Sequence, residues 1–190
     1  GPPVWRKPSE TTRRSPFALT INAREIYAYV HGAMHDASLN KSRRVRFGQK
    51  YPEWLRLIQR LLHDVGARSW MYKEGKNRNS YILETVCKKL DFSFDPNTLK
   101  TAREKIAYLR GFFEAEGGIP RNGGEFYIQL VQKNLRKMEA VRKLLLGLGI
   151  RCGKIHNPSK RVDPHYWRVF VARKSHKDFA SKIGSWHPVK

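Results

Sequence analysis

The sequence predicts an α+β fold made of two related halves. Helical and strand patterns follow one another in the order α-β-α-β-β, and that order occurs twice in the 190 residues. Gln49-Lys50 and Gln132-Lys133 are 83 positions apart, as are Gly66 and Gly149. Two copies of one unit are fewer than a solenoid contains, so the repeat indicates two halves of one fold.

Four segments are expected along the chain. Residues 1–20 are rich in Pro, Ser, Thr and Arg and lack periodicity, which predicts a flexible basic N-terminal arm. The first half is expected over 21–90 and the second half over 101–190. Residues 91–100 contain Pro96 and are expected to link the two halves.

The first half shows two helical patterns and three strand patterns. Ile26, Tyr29 and Ala33 recur at helical spacing, whereas residues 44–47 alternate basic with apolar side chains, as in a half-buried strand. The predicted elements are a helix over 21–36, a strand over 44–49, a helix over 52–65 and a hairpin with strands over 68–73 and 79–86.

The second half repeats this order. Gly147 and Gly149 predict the end of a helix, and the polar segment 157–161 predicts a turn between two strands. The predicted elements are a helix over 101–116, a strand over 124–132, a helix over 134–147, strands over 151–156 and 164–172, and a last helix over 175–184.

The charge of the chain indicates a polyanionic partner. Its 38 Lys and Arg residues outnumber its 16 Asp and Glu residues, which gives a formal charge of +22 and a pI near 10.4. A chain with so large a positive charge most often binds nucleic acid. An anionic membrane is the rival partner, but no long basic amphipathic helix stands apart from the rest of the chain.

Other classes of protein are disfavoured. No run approaches the roughly 18 apolar residues of a membrane span, and no secretory signal is visible. Cys87 and Cys152 are isolated, which indicates reduced thiols and gives no support to a zinc site. We therefore expect no membrane partner and a location in the cytoplasm or an organellar matrix, associated with the nucleoid and not secreted.

Residues 109–117, Leu-Arg-Gly-Phe-Phe-Glu-Ala-Glu-Gly, are the most informative stretch. Gly111 and Ala115 share one helix face, where small residues let a second helix approach closely. Glu116 ends the helix, where the helix dipole disfavours a carboxylate unless a cation such as a hard divalent metal lies nearby. Gly117-Gly118 fits a helix stop with a residue in the left-handed conformation. The alternative is a core helix with a solvated acidic end.

This stretch resembles the signature of the LAGLIDADG homing endonucleases, and the resemblance covers roughly residues 22–186. It implies the single-chain type, a monomer with two pseudo-symmetric α-β-β-α-β-β-α-like halves. The two signature helices would pack side by side, and antiparallel sheets would form a saddle over the DNA major groove. Each signature helix of the family contributes one acid to a divalent metal, so the implied cofactor is Mg²⁺ or another divalent cation such as Mn²⁺.

Glu116 takes the metal-acid position of the second motif, whereas the first motif departs from the pattern. Aligned without a gap on Gly32, the first motif has Ala37 at the acid position, and Ala37 cannot bind a metal. With one residue deleted, Asp36 is the ligand, and residues 36–39 resemble a frequent Asp-Gly-Ser-Leu ending of the family. That register needs a tighter last turn, which a 3₁₀ helix could supply. We favour Asp36 over the alternative of a surface Asp at a helix end.

Two matched dipeptides follow the first clear strand of each half. Related enzymes carry Gln and Lys near this point, where they position water around the metal and the scissile phosphate, and Lys suits that task as a point charge. The alternative for each dipeptide is a solvated strand end. The candidate catalytic residues are therefore Asp36, Glu116, Gln49, Lys50, Gln132 and Lys133.

Strand alternation selects the residues expected to face DNA. If Val45, Phe47, Ile128 and Leu130 face the core, their neighbours face the duplex, although a slip of one residue would reverse a whole strand. Basic side chains in the turns would reach phosphates. Arg121 is included because some relatives have a Lys in the loop after the metal acid. The predicted DNA-binding residues are Arg44, Arg46, Arg68, Tyr72, Lys73, Lys76, Arg78, Arg121, Tyr127, Gln129, Lys154, His156, Lys160, Arg161, Tyr166 and Arg168.

The leading hypothesis is a sequence-specific homing endonuclease that makes metal-dependent cuts in a long double-stranded DNA target. Without an acid in the first motif, the protein would nick DNA or bind without cutting, as an intron RNA maturase or a DNA-binding protein. Intron RNA is therefore the alternative partner. A basic ribosome-associated domain is a third, unrelated hypothesis.

Overall fold

The computed structural model describes residues 21–186. The predicted basic arm over 1–20 lies outside these residues, as does 187–190 at the end of the predicted second half. The helices are α1 Ala23–Ala33, α2 Pro52–Asp64, α3 Ala102–Glu116, α4 Leu135–Gly147 and the short α5 His176–Asp178. The strands are β1 Ala37–Leu39, β2 Val45–Gln49, β3 Ser69–Lys73, β4 Tyr81–Thr85, β5 Gly117–Gly118, β6 Arg121–Asn122, β7 Glu125–Phe126, β8 Gln129–Gln132 and β9 Trp167–Phe170.

Side-chain caps fix the start of three helices. The Asn22 side chain accepts a hydrogen bond from the backbone at the start of α1, and Asn134 does the same for α4. Thr101 and Glu104 form a reciprocal capping box at the start of α3. Each cap satisfies backbone N–H groups that have no partner inside the helix, so each helix begins just after its cap.

An antiparallel sheet follows the first helix of each half, which is α1 in the first half and α3 in the second. The first sheet has the strand order β1-β2-β4-β3, and the second has the order β5-β8-β9, with β6 and β7 forming a separate hairpin. In each half the helix runs directly into a strand, and that strand pairs with the next strand of its sheet. The predicted α+β architecture of helices and antiparallel sheets is confirmed.

Helices α1 and α3 pack side by side with their backbones in contact. A Cβ atom added at Gly32 would lie 2.7 Å from the backbone N of Phe112 and closer still to the Tyr108 carbonyl oxygen. A Cβ atom added at Gly111 would lie 3.0 Å from the Ala33 N and closer still to the Tyr29 carbonyl oxygen. The two glycines therefore make this approach possible from both sides, as the small-residue face predicted.

One face of each sheet closes the hydrophobic core. Val45, Phe47, Ile128 and Leu130 are each no more than 5% exposed, so the predicted strand alternation is correct. The opposite face of each sheet carries the residues between them. We call these surfaces the first open face, on β2, β3 and β4, and the second open face, on β8 and β9.

Short or irregular segments differ from the predicted elements. The pattern did not predict β1 or β5, because three- and two-residue strands are too short to show alternation. The predicted strand over 124–132 is divided between β7 and β8. The predicted strand over 151–156 is reduced to two isolated bridges, Cys152 with Val171 and His156 with Arg168. The predicted helix over 175–184 consists of short 3₁₀, α and π turns.

Gly117 ends α3 in a different way from the prediction. Its φ of −96° is extended backbone and not the left-handed conformation. The residue must be small because an added Cβ would collide with Phe113, whose ring would lie 2.8 Å from it at Cε2. Lack of space, and not backbone conformation, therefore requires a glycine at this position.

Candidate active site

Asp36 lies where the first helix passes into the first sheet. The helix tightens into a 3₁₀ turn over Met34–Asp36, and Ala37 then begins β1 opposite Phe47. The tighter turn is the feature that the one-residue deletion required. The Asp36 side chain is exposed beyond the end of the helix.

Glu116 occupies the equivalent position in the second half. It is the last residue of α3, and Gly117 then begins β5 opposite Leu130. The counterpart of Gly117 in the first half is therefore Ala37, and the counterpart of Glu116 is Asp36. By strand position Ala37 thus corresponds to Gly117 and not to Glu116, and Asp36 as the metal acid of the first motif stays a prediction.

The two predicted glutamines end equivalent strands but contact different partners. Gln49 is the last residue of β2, and its Nε2 donates to Asp36 Oδ2 at 2.5 Å. Gln132 is the last residue of β8, and its Nε2 lies 2.6 Å from His35 Nδ1. Gln49 therefore contacts the candidate metal acid of its own half, whereas Gln132 contacts a histidine of the other half.

His35 connects the two halves beside Asp36. Its Nε2 lies 2.9 Å from the Tyr108 hydroxyl of α3, and its ring packs edge-on against Phe112. Burial and, to a lesser extent, the charge of Lys137 together lower the pKa of His35 to about 3, so the ring is neutral near pH 7. A neutral ring that accepts from Gln132 at Nδ1 donates from Nε2 to the tyrosine.

Lys50 and Lys133 follow the two glutamines and are exposed. The Lys50 ammonium lies 5.6 Å from the centre of the Tyr51 ring. The Gln132 Oε1 accepts from the backbone N of Lys133 at 2.8 Å and of Asn134 at 3.1 Å, which fixes the corner before α4. Both lysines therefore place a point charge directly after the strand end that carries a predicted glutamine.

The donor chemistry at the helix ends fits a magnesium-type cation. Asp36 and Glu116 offer carboxylate oxygens, the ligands that hard divalent cations prefer. No group of three His, Cys, Asp or Glu side chains suited to a metal occurs within 21–186. Two carboxylates leave other positions to water or substrate oxygens, which is typical of Mg²⁺ and untypical of a structural zinc site.

Glu114, the other acid of the α3 signature, has a structural role. Its side chain is buried and accepts hydrogen bonds from the Tyr29 hydroxyl, from the Trp54 indole at 3.4 Å, from the Ser185 hydroxyl at 2.9 Å and from the backbone N of Trp186. These donors come from the first half and from the end of the described chain. Glu114 therefore holds the two halves and the segment after α5 together.

The first open face combines basic, aromatic and acidic side chains. The strand register places Arg46, Glu84 and Trp70 in one row across three strands, and Tyr72 on the same face. Arg44 lies at the start of this surface, at the end of the β1–β2 hairpin. The structure thus brings together the predicted residues Arg44, Arg46 and Tyr72.

The second open face is centred on Phe170. Arg168 stacks its guanidinium 4.6 Å from the centre of that ring and donates from Nε to His156 Nε2 at 3.2 Å. Tyr127 also contacts the ring, and Gln129 pairs with Phe170 across the strands. The four predicted residues on this face are therefore neighbours.

The remaining predicted DNA-binding residues lie at strand ends, turns and loops. Tyr166 is half-buried just before β9, and the others are exposed. These exposed residues are Arg68, Lys73, Lys76, Arg78, Arg121, Lys154, Lys160 and Arg161.

Sequence reasoning missed Trp70, Glu84, Phe170 and His35. Trp70 and Phe170 have the same strand parity as the predicted Tyr72 and Arg168, so the alternation contained the signal. Glu84 carries the wrong charge for a DNA-binding surface, and nothing in the sequence reveals its partners. The contact of His35 with Gln132 depends on how the two halves pack.

The fold and this arrangement define a protein of two α+β halves joined by a glycine-lined helix pair, with an acid where each helix enters its sheet. Residues 103–184 match the family model described as the LAGLIDADG-like domain. The resemblance found in the sequence is thereby confirmed: the second half matches the LAGLIDADG-like family model, and the chain as a whole has the LAGLIDADG fold.

Solved structures extend this likeness to both halves. A structure of I-DmoI in complex with DNA and Mn has a TM-score of 0.64 and 24% identity, and the match covers 87% of this chain and 99% of that chain. The N-terminal LAGLIDADG domain of WhiA has a TM-score of 0.67 and 16% identity, with 90% and 85% covered. Full-length WhiA from Thermotoga maritima has a TM-score of 0.67 and 17% identity, with 86% and 56% covered. At these identities the likeness is one of fold.

The comparison with curated proteins finds no match. Among residues 21–186, no helix has the length and apolar character to cross a membrane.

Proposed function

We propose that this protein is a sequence-specific DNA endonuclease that cuts phosphodiester bonds with the help of a divalent cation. The observation that carries the proposal is the equivalence of Asp36 and Glu116, one acid at the end of each packed signature helix. The formal charge of +22 and the two open faces support a long duplex as the substrate. I-DmoI, whose fold is similar, has been crystallised with DNA and Mn and with DNA and Ca, which supports the choice of partner and cofactor.

The helix pair would hold the two acids at one place over the duplex. Asp36 and Glu116 would bind the cation, and Gln49 would orient Asp36 by donating to Oδ2. Lys50 and Lys133 would stabilise the negative charge that develops on the phosphate. When bound, Mg²⁺ or Mn²⁺ would supply Lewis-acid stabilisation and a more acidic water. Such an enzyme would act as a monomer near the nucleoid, in the cytoplasm or an organellar matrix.

A randomised duplex library tests this proposal. The protein is incubated with the library and Mg²⁺, and the cut ends are sequenced for wild type, Asp36→Asn and Glu116→Gln. We expect ends enriched at one long motif for wild type and their loss in both variants, with binding largely kept. Asp64→Asn is the matched control, because this Asp is exposed at the end of α2 and should not affect cutting. Full cutting by Glu116→Gln would refute the proposed role of Glu116 as a metal-binding acid.

Binding without cutting is the second candidate function. The observation in its favour is that the two matched glutamines differ in partner, because Gln132 contacts His35 whereas Gln49 contacts Asp36. The similar fold of the WhiA N-terminal domain is compatible with either function. Enrichment of bound duplexes without cut ends would support this candidate. The comparisons lend no support to intron RNA, and preferential binding of structured RNA in the same assay would be needed to revive it.

A further inference from the structure

We propose that the first open face reads guanines in one half of the DNA target, through Arg44 and Arg46 held in position by Glu84 and Glu74. This inference rests on duplex DNA being the partner in the proposed function, but it does not depend on cleavage. It adds a base preference and two positioning carboxylates to the general DNA contact expected of this surface.

Arg44 is fixed on two sides. Its Nη1 lies 3.5 Å from Glu84 Oε2, and its Cζ lies 4.7 Å from the centre of the Trp70 ring. The Arg44 side chain is still 41% exposed. An arginine that stacks on an aromatic ring and contacts a carboxylate loses little further freedom when it binds, so its planar donors are presented in a defined direction.

Glu84 is a buried acid within a basic surface. Its side chain is only 8% exposed, and its Oε1 accepts from the Tyr72 hydroxyl at 2.8 Å and from Asn40 Nδ2 at 3.4 Å. Burial and the hydrogen bond to Glu84 raise the pKa of Tyr72, which keeps the hydroxyl a donor. A buried carboxylate is tolerated when such donors surround it. Glu84 therefore acts as a fixed anchor beneath Arg44 and Tyr72 and is too buried to contact DNA extensively.

Arg46 has a carboxylate partner of its own. Its Nη2 donates to Glu74 Oε1 at 2.7 Å, and this bond is the main cause of the raised pKa of Arg46. The Arg46 side chain is 33% exposed, while its Nε is buried without a hydrogen-bond partner among the described residues. Arg46 thus projects from the sheet with one edge of its guanidinium held by Glu74.

The presence of the acids argues against simple phosphate contacts. A phosphate contact needs net positive charge, and an adjacent carboxylate cancels part of that charge. Guanine recognition needs donors in a fixed plane, because arginine binds the O6 and N7 acceptors of guanine with two parallel hydrogen bonds. The two arginines are two residues apart on a strand, about 7 Å, which spans about two base-pair steps of 3.4 Å.

The test is a selection of bound duplexes from a randomised library in Ca²⁺, for wild type, Arg44→Lys and Arg46→Lys. Lysine keeps the positive charge and loses the paired donors. For wild type we expect guanine enriched at two positions of one half-site, about two steps apart. Each Lys variant should lose the preference at one position by roughly 5- to 150-fold, with binding to unselected duplex nearly unchanged. Arg60→Lys, an exposed change on α2, is the matched control and should leave the selected motif intact.

A second pair of variants tests the positioning role of the acids. Glu84→Gln and Glu74→Gln remove a negative charge and keep the size of the side chain. We expect tighter binding to unselected duplex and, at the same time, a weaker guanine preference at the position of the partner arginine. A merely structural role would not produce these opposite changes. Thermal unfolding of each variant identifies any loss of fold, and Glu74, which is 32% exposed, is the safer of the two positions.

The results separate this inference from the proposed function. Guanine preference that survives both Lys variants, or a wild-type motif without guanine, would overturn the inference even if the protein cuts DNA. Absence of any duplex binding would overturn it as well. Guanine preference that depends on the two arginines, without any cutting in Mg²⁺, would uphold the inference and refute the endonuclease.

Discussion

Replacing Gly111 by Ala should separate the two signature helices and destabilise the protein. The new Cβ would lie 3.0 Å from the backbone N of Ala33 and still closer to the Tyr29 carbonyl oxygen. Ordinary carbon contacts lie near 3.5–4.0 Å, and the obstacle is helix backbone that cannot rotate away as a side chain can. The helices would have to move apart by about 1 Å.

The expected size of the effect combines two opposing contributions. Overpacking of this kind costs about 3 kcal/mol, at the upper end of the usual range. The better helix propensity of Ala offsets about 1 kcal/mol of that cost. The net loss of about 2 kcal/mol should lower Tm by about 4–8 °C for a chain of this size.

Gly147→Ala is the matched control for this change. Gly147 ends α4, is exposed and has nothing within 4 Å of an added Cβ. Its substitution should leave Tm unchanged or raise it slightly through helix propensity. Thermal unfolding followed by circular dichroism measures both variants. A Tm for Gly111→Ala equal to that of wild type or of Gly147→Ala would refute the close backbone packing.

The Gly32→Ala, Gly111→Ala double variant sharpens the test. Both methyl groups would enter the same interface, so helices already displaced by the first methyl should accept the second at a lower cost. The double variant should therefore lose less stability than the sum of the two single losses. Additive losses would show that the two glycines lie in independent contacts.

Three further predictions concern stability and binding. Glu114→Gln should cost about 2–3 kcal/mol, because an amide nitrogen cannot accept from the donors that surround this carboxylate, while Glu139→Gln on the exposed side of α4 should cost almost nothing. Burial lowers the pKa of His31 below its usual 6.5. The unfolded chain therefore binds the proton first, and stability should fall as pH drops below about 6.5, by up to about 1.4 kcal/mol per pH unit for this group. Urea unfolding from pH 7.5 to 5 should show that the free energy of unfolding falls less steeply for His31→Gln than for wild type. The control His63→Gln, changed at an exposed histidine, should follow the wild-type slope. Equal slopes for all three proteins would contradict the assignment. Duplex binding should weaken steeply between 50 and 200 mM salt, as it does for proteins that make many phosphate contacts, and a nearly flat response would contradict nucleic-acid binding.

The parts of the fold that could be predicted depend on long periodic segments. Helices α1 to α4 and strands β2, β3 and β4 have enough residues for a helical or alternating pattern to show. The prediction of a strand over 151–156 was wrong, because within this segment two isolated bridges, Cys152 with Val171 and His156 with Arg168, replace a continuous ladder. A sequence pattern does not show how many backbone hydrogen bonds a segment makes.

The candidate site was predictable where it follows one motif and unpredictable where it spans two halves. The signature and the one-residue deletion led to Glu116 and Asp36 from local sequence alone. The contact of His35 with Gln132 joins residues 97 positions apart and depends on the helix packing angle. The buried Glu84 shows the same limit, because its neighbours come from the β1–β2 hairpin and from strands β2 and β3.

The most direct test of the account is the location of the cation in a crystal of the protein with its selected duplex and Mn²⁺. Anomalous scattering identifies Mn²⁺ without reference to the assigned residues. The account predicts an anomalous peak coordinated by carboxylate oxygens of both Asp36 and Glu116 and by an oxygen of the duplex. A bound duplex with no peak at these two acids, or with a peak elsewhere, would contradict it.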